Sequence, residues 1–447
     1  MTQSLQVGTS YRQIIKIALP ISMSLFVPQL NLVISTIFLG HLSKEALANA
    51  SITGVYYLIF GGIGFGLNNG LQAIISRRAG ENKPKEIGTI FQQGVFIATC
   101  IGLFGIAFTY VVAPFIFKAT IQSPEVYHAT VSFLYIRILG LPFLYIYQMR
   151  NALLVGINQS KLLIIGTAAE AFVNIFLDYG LIYGKFGLPE MGFNGAAVAS
   201  ILAEFTGMFV IFLVVQAKGL SQQFSLFKGF HYDKELTIKI LRLSGPLIFQ
   251  MAISIISWFF FYVLVEHHGQ TDLAISTTMR NVFGFFGVFN WAFSSAANSM
   301  VSNLIGQGKK EEIVRLLSKI MVLSLGVSLL IWVLLNVFPG AYFSIFGQGE
   351  NFAKEGIPTL RVVSLALVLM SLSAVWLNAI TGTGKSNITF YIELVAIVVY
   401  SVYAYVVLEV LQLSITWGWA AELIYWSFLG GLSYLYIKSG RWKHKVI

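Results

Sequence analysis

The sequence predicts an all-α integral membrane protein whose twelve transmembrane helices form two six-helix lobes related as parallel repeats. Three observations carry that prediction. Only 11% of the 447 residues are charged while 56% are hydrophobic, against about 25% charged in a soluble domain. Apolar runs of about twenty residues, the length that spans a bilayer as a helix, recur twelve times. A shift of 226 positions lays the first half on the second without a gap from Pro20 to Ile87.

The expected spans lie near 14–38, 50–75, 89–116, 127–153, 162–184, 194–217, 240–265, 273–303, 313–337, 356–381, 387–409 and 415–437. The runs are continuous rather than alternating with period two, which argues against a β-barrel. The polar N-terminus runs directly into the first span with no A-x-A-like site after a short apolar core, so the first helix is expected to stay uncleaved. Cys100 sits in the apolar "FIATCIGLFGIAF" and has no second cysteine to pair with, which leaves it a packing role.

Lysine and arginine placement sets the expected orientation. One set of connections carries Arg77, Arg78, Lys83, Lys85, Lys161, Lys218, Lys228, Lys234, Lys309, Lys310 and Lys385, and the tails add Arg12, Lys438, Arg441, Lys443 and Lys445. The opposite loops hold only Lys44, Lys118, Lys185 and Lys354. Both termini are therefore expected in the cytoplasm. The net charge of +10 reflects this asymmetry rather than nucleic-acid binding. Asn158-Gln-Ser and Asn387-Ile-Thr fall on the same side, where glycosylation does not occur.

The repeat pairs Pro20 with Pro246, His41 with His267, Gly61 with Gly287, Ser76 with Ser302, Lys83 with Lys309 and Glu86 with Glu312. "RRAGENKPKEI" and "NLIGQGKKEEI" then occupy the same place after the second span of each half. An even number of helices separates the copies, so they share orientation. The expected organisation is a lobe over 1–217, a cytoplasmic linker over 218–239 and a second lobe over 240–447. Two such lobes suit a transporter working by alternating access.

One stretch points elsewhere. "AITGTGKS", Ala379–Ser386, lacks only the first glycine of the phosphate-binding loop G-x-x-x-x-G-K-[ST]. That loop needs a strand before it and a helix after it in a soluble α/β unit; here apolar spans flank it on both sides. The repeat aligns it with "NALLVGINQS", Asn151–Ser160, so that Gly156 meets Gly382 and Gln159 meets Lys385. A turn between spans is expected, not a nucleotide site. No soluble segment is large enough for a nucleotide-binding domain, and no His/Asp or nucleophile cluster suggests a membrane enzyme.

The segments "ALPISMSLFVPQLNLVISTIFLGHLSKEALANASI", "GGIGFGLNNGLQAIISRRAGE" and "NIFLDYGLIYGKFGLPEMGFNGAAVAS" resemble the multidrug and toxic compound extrusion (MATE) family over nearly the whole chain. The detail is most similar to its DinF-like branch. The resemblance implies two six-helix lobes and a cation-coupling site in the N-terminal lobe. It implies coupling roles for Asp178 and Asn174, which stand four apart on one helix face. Related proteins usually carry an Asp where this chain has Ser35, with Asn31 one turn below, and often Thr where it has Ser200. Losing one carboxylate weakens the case for sodium and favours a proton.

Ionisable side chains inside a bilayer cost about 2.5–3.5 kcal/mol each on insertion scales. Glu170, one turn below Asn174, Glu204, Glu393 and Glu422 are therefore candidates for binding substrate, and Arg137 could pair with Glu170 or Glu204. Arg150, Arg280 and Arg361 are expected in ion pairs or at helix ends. Spans 7 and 10 contain no acid, which argues against coupling there. His41 and His267 at matching helix ends read as loop caps, and the histidine spacing matches no zinc site. Pro20, Pro28 and Pro246 could kink the first helix of each lobe.

The expected function is a cation-coupled antiporter, H+ rather than Na+, exporting amphipathic or cationic organic compounds across the plasma membrane. A flippase for lipid-linked oligosaccharide is the alternative. The expected partners are a small organic substrate and the lipid bilayer, with no nucleic acid, nucleotide, metal or cofactor beyond the coupling ion. The chain is expected to act as a monomer and not as an enzyme.

Overall fold

The structure is a computed structural model that describes residues 4–121, 123–346 and 349–443, apart from the side chains of Lys44, Leu47 and Ala48; Lys445 of the basic tail lies outside the described residues. No strand occurs among the described residues. The first half contains α1 (Tyr11–Leu42), α2 (Lys44–Gly80), α3 (Pro84–Thr120), α4 (Pro124–Arg137), α5 (Leu141–Gly156), α6 (Leu163–Tyr183) and α7 (Phe193–Ala217). A single turn, α8 (Leu220–Gln223), lies in the linker. The second half contains α9 (Lys234–Glu266), α10 (Gln270–Gly306), α11 (Ile313–Val337), the short α12 (Pro339–Ser344), α13 (Glu350–Thr383), α14 (Ser386–Tyr405), α15 (Ile415–Trp419) and α16 (Ala421–Lys438).

These elements make the twelve expected spans. A 3-10 turn at Ile138–Gly140 divides the fourth span into α4 and α5, and Pro142, which has no N–H to donate, opens the second piece. Ten of the spans are long and apolar enough to cross a membrane by length and composition alone. α10 is not among them, because its inner face carries Ser276, Asn290, Ser294, Asn298, Ser302 and Asn303, all buried. Asn290 accepts from Ser324 and Ser328 on α11 at 3.3 and 2.8 Å and donates to the Leu367 carbonyl at 3.0 Å. Polar groups so satisfied are tolerated in a membrane helix.

The chain forms two compact units, Met23–Ser244 and Met1–Ser22 with Gly245–Ile447. This grouping differs from lobes drawn at 217 and 240, and the hydrogen bonds show why. In the first unit, the stretch after α7 is laid along α3. Gln92 Nε2 donates to the carbonyls of Leu226 and Lys228, both at 3.1 Å, and Gln93 Nε2 to that of His231 at 2.6 Å. A Cβ on Gly88 would stand 1.9 Å from the Phe224 carbonyl oxygen, so only glycine permits that approach. In the second unit, the segment before α1 is fastened to α10 and α11. Val7 N–H donates to Asn303 Oδ1 at 3.1 Å, Asn303 Nδ2 to the Leu5 carbonyl at 2.9 Å, and Lys319 Nζ to the Thr9 carbonyl at 2.8 Å. Gln93 and Lys319 are 226 apart, so the same fastening recurs at equivalent places in the repeat.

The repeat also governs packing at the turn that looked like a phosphate loop. α13 ends and α14 begins around Gly384, which adopts a left-handed conformation (φ +86°). Before it, a Cβ on Gly382 would lie 2.5 Å from the Asn298 carbonyl oxygen and 3.2 Å from Val301 of α10. Its counterpart Gly156 presses on Ile75 of α2, at 2.6 Å. Ile75 and Val301 are themselves 226 apart. The glycines of "AITGTGKS" thus serve helix packing and a helix-to-helix turn.

The remaining expectations about single residues resolve locally. Cys100 is exposed on the flank of α3. His41 caps its own helix through the Ile37 carbonyl at 2.8 Å, and His267 pairs with Glu409 at 2.9 Å. Of the intramembrane arginines, Arg137 alone pairs with an acid among the described residues. Arg150 instead donates to the Met208 carbonyl and faces the Phe212 ring, while Arg280 faces the Tyr262 ring at 5.9 Å and Arg361 is exposed.

Candidate functional site

The site in the first unit is built on α1 and α6, which run in the same direction. Ser35 donates to Asp178 Oδ2, and one turn further along both helices the Tyr183 hydroxyl donates to the Phe38 carbonyl at 2.5 Å. Phe38 packs on Tyr179 and Tyr183 at ring distances of 5.9 and 6.2 Å, closing the seam at that end. Asp178 has no exposed surface, and its Oδ1 has no partner among the described residues. The same holds for Asn174 Nδ2 and for Asn31 Oδ1, each one turn before its helix's member of the Ser35–Asp178 pair. The structure therefore brings Ser35 to Asp178 and leaves three buried polar atoms unsatisfied along the seam. Buried polar atoms are seldom left so. Ser200, on α7, is half-buried and makes no hydrogen bond among the described residues.

A second cluster lies among α2, the end of α4, and α7. Arg137 forms a two-pronged pair with Glu204, Nη1 to Oε2 at 3.0 Å and Nη2 to Oε1 at 2.5 Å. The guanidinium carbon sits over the Tyr57 ring, 3.7 Å from its centre, and the Tyr57 hydroxyl reaches Glu204 Oε1 at 3.3 Å. Gly140 makes room: a Cβ there would meet Glu204 Oε2 at 2.5 Å and Arg137 Nη1 at 2.9 Å. Glu170, the other partner expected for Arg137, is half-buried against Gly207 and forms no ion pair among the described residues. Glu204 wins because it can be approached by both guanidinium nitrogens at once, the stronger geometry.

The second unit holds two buried carboxylates, each 3% exposed. Glu393 on α14 accepts from Ser254 at 2.8 Å and Gln250 at 3.3 Å, one turn apart on α9, and from Tyr425 on α16. Glu422 on α16 accepts from Trp426 Nε1 at 3.1 Å. Neither has a basic partner among the described residues. α9 and α14 are the repeat counterparts of α1 and α6, so both units set a buried carboxylate of the fifth span against hydroxyl or amide groups of the first. Span 7 lacks acids, as its sequence indicates, yet supplies the donors. Tyr57 and Tyr425 were not legible as site residues, since a tyrosine in an apolar helix carries no distinguishing pattern.

The MatE family model matches residues 20–180 and again 246–406, two segments displaced by the 226 positions found within the sequence. The chain belongs to the MatE family. A Thermotoga maritima protein named "Probable multidrug resistance protein NorM" is 24% identical over 443 residues, covering 98% of this chain and 94% of that protein. The Danio rerio "Multidrug and toxin extrusion protein 1" is 24% identical over 84% of this chain and 63% of its own length. A solved structure described as "Crystal structure of MATE in complex with MaL6" superposes with a TM-score of 0.91 at 17% identity, over 98% of both chains. MatE members are transporters, and this member is a multi-pass membrane protein of the same twelve-helix, two-lobe fold.

Proposed function

We propose that this MatE member is a cation-coupled antiporter that exports amphipathic or cationic organic compounds across the plasma membrane by alternating access, with both termini in the cytoplasm. Multidrug resistance and toxin extrusion are the functions for which its relatives are named. Asp178 carries the coupling reading. It is a fully buried carboxylate; among the described residues its one side-chain partner is the Ser35 hydroxyl and its second oxygen has none. A charge buried without a basic partner has to be accompanied by a cation. The donor set favours a proton over sodium: one carboxylate, one hydroxyl and the amides of Asn31 and Asn174 give fewer oxygens than the six or so a hard cation prefers. The Arg137–Glu204 pair and Glu170 then serve as structure rather than coupling, and Glu393 and Glu422 remain available to a cationic substrate.

The test is export of a fluorescent organic cation from cells expressing the protein. Asp178→Asn should abolish export while leaving expression and membrane insertion unchanged; undiminished export in that variant overturns the assignment. Export in sodium-free buffer, stopped by a proton uncoupler, identifies the proton. Export that persists with the uncoupler and needs sodium identifies the other ion.

A further inference from the structure

At the end of the second unit that carries the basic loops, a cavity of about 520 Å³ opens where α11, α13 and α16 meet the C-terminal segment. Lys310, Lys438 and Lys443 line it, and Glu311 is the one acid in its wall, so the lining carries a net charge of +2. The charges are held in different ways. Lys443 Nζ pairs with both oxygens of Glu311, at 2.9 and 3.0 Å. Lys310 Nζ donates to the Lys443 carbonyl at 2.5 Å, which holds Lys443 at the cavity. Lys438 has no acidic partner among the described residues and leans over the Tyr434 ring at 5.5 Å.

Three aromatic rings, Trp376, Tyr434 and Trp442, stand in the wall. Trp376 of α13 is 8% exposed and meets Tyr434 edge-on at 5.2 Å. Trp442 is 2% exposed and held by its indole N–H to the Ile437 carbonyl at 2.9 Å. Such volumes suit a small-molecule headgroup. The cavity does not open only toward water. Val314 of α11 and Tyr434 of α16 stand in its wall and are 49% and 40% exposed, and Leu435 beside it is 61% exposed. Those side chains belong to the apolar flanks of membrane helices, where acyl chains lie. A basic, Trp- and Tyr-lined cleft between transmembrane helices at the interface is the chemistry that retains an anionic phospholipid.

We propose that this cavity binds the phosphodiester headgroup of an anionic phospholipid, with Lys310 and Lys438 on the phosphate and the acyl chains along the α11 and α16 flanks. Lys443 closes the site as a positioning residue.

Native mass spectrometry of the full-length protein in detergent tests this with equal concentrations of phosphatidylglycerol, phosphatidylcholine and soluble glycerol 3-phosphate. Each lysine near an anionic headgroup is worth about five-fold in affinity. Phosphatidylglycerol should therefore be retained about 25-fold better than phosphatidylcholine. Lys310→Gln with Lys438→Gln should bring the two lipids level, while Lys354→Gln, at the opposite end of α13, should change nothing. Equal retention of both lipids by the wild type overturns the proposal whether or not the double variant folds. Binding of glycerol 3-phosphate as strong as that of phosphatidylglycerol also overturns it, because the site would then take a soluble anion. An equal loss in Lys354→Gln would reduce the effect to overall charge and sink it as well.

Discussion

Replacing Glu204 by Gln isolates the Arg137–Glu204 pair. The two side chains are 12% and 8% exposed, so the pair is screened little by water. Glutamine preserves volume but turns an N–H₂ toward one of the two guanidinium nitrogens now bonded at 3.0 and 2.5 Å. Removing one member of a buried ion pair costs about 3–5 kcal/mol, because the other charge is left uncompensated. Arg137 keeps its contact with Tyr57 at 3.7 Å, worth about 2 kcal/mol when desolvated. The lower end of the range, about 3 kcal/mol, is therefore expected. A unit of this size shifts by about 2–4 °C per kcal/mol, which gives a fall of about 6–12 °C in the melting temperature of the detergent-purified protein. The double variant Arg137→Met with Glu204→Leu replaces the pair by apolar side chains of similar size and should melt within a few degrees of the wild type and still export. A fall of about 1 °C or less in Glu204→Gln, or a double variant that keeps the wild-type stability but does not export, would refute the structural reading of this pair.

Gly382→Ala should destabilise by about 1–3 kcal/mol, since its Cβ would meet the Asn298 backbone oxygen at 2.5 Å; Gly61→Ala, with open space around it, should be neutral or stabilising by up to about 1 kcal/mol, and paired melting curves compare them. Tyr425→Phe removes a donor from buried Glu393 and should cost about 1.5–3 kcal/mol, read from the same curves. His267 lies just beyond α9 and pairs with Glu409, and its imidazole is held above its ordinary value chiefly by that hydrogen bond. The stabilisation is then complete below the ordinary histidine value and lost as pH rises through the raised one. His267→Gln should abolish that component of the pH dependence of melting, and a ring-proton titration of His267 below the ordinary value would contradict it.

The membrane class, the twelve spans, the duplication and the stripe Glu170, Asn174, Asp178 were all legible in the chain. Hydropathy, helical period and a constant offset are properties of single residues and their near neighbours, so they are written in the chain. It also ruled on "AITGTGKS", because apolar flanks exclude a soluble α/β context. Partners were another matter. Ser35 and Asp178 are 143 residues apart, as are Gln250 and Glu393, and Arg137 and Glu204 are 67 apart. Arg137 had two acids to choose from, and the structure pairs it with Glu204 in the gap left at Gly140. The fastening of Leu5–Thr9 to α10 and α11, and of the linker to α3, rests on backbone carbonyls that every residue possesses equally. The polar face of α10 likewise depends on neighbours distant in sequence, since Ser324 and Ser328 of α11 satisfy Asn290. Hydrogen bonds and ion pairs require atoms to meet at about 3 Å, and only the folded arrangement of helices distant in sequence decides which ones do.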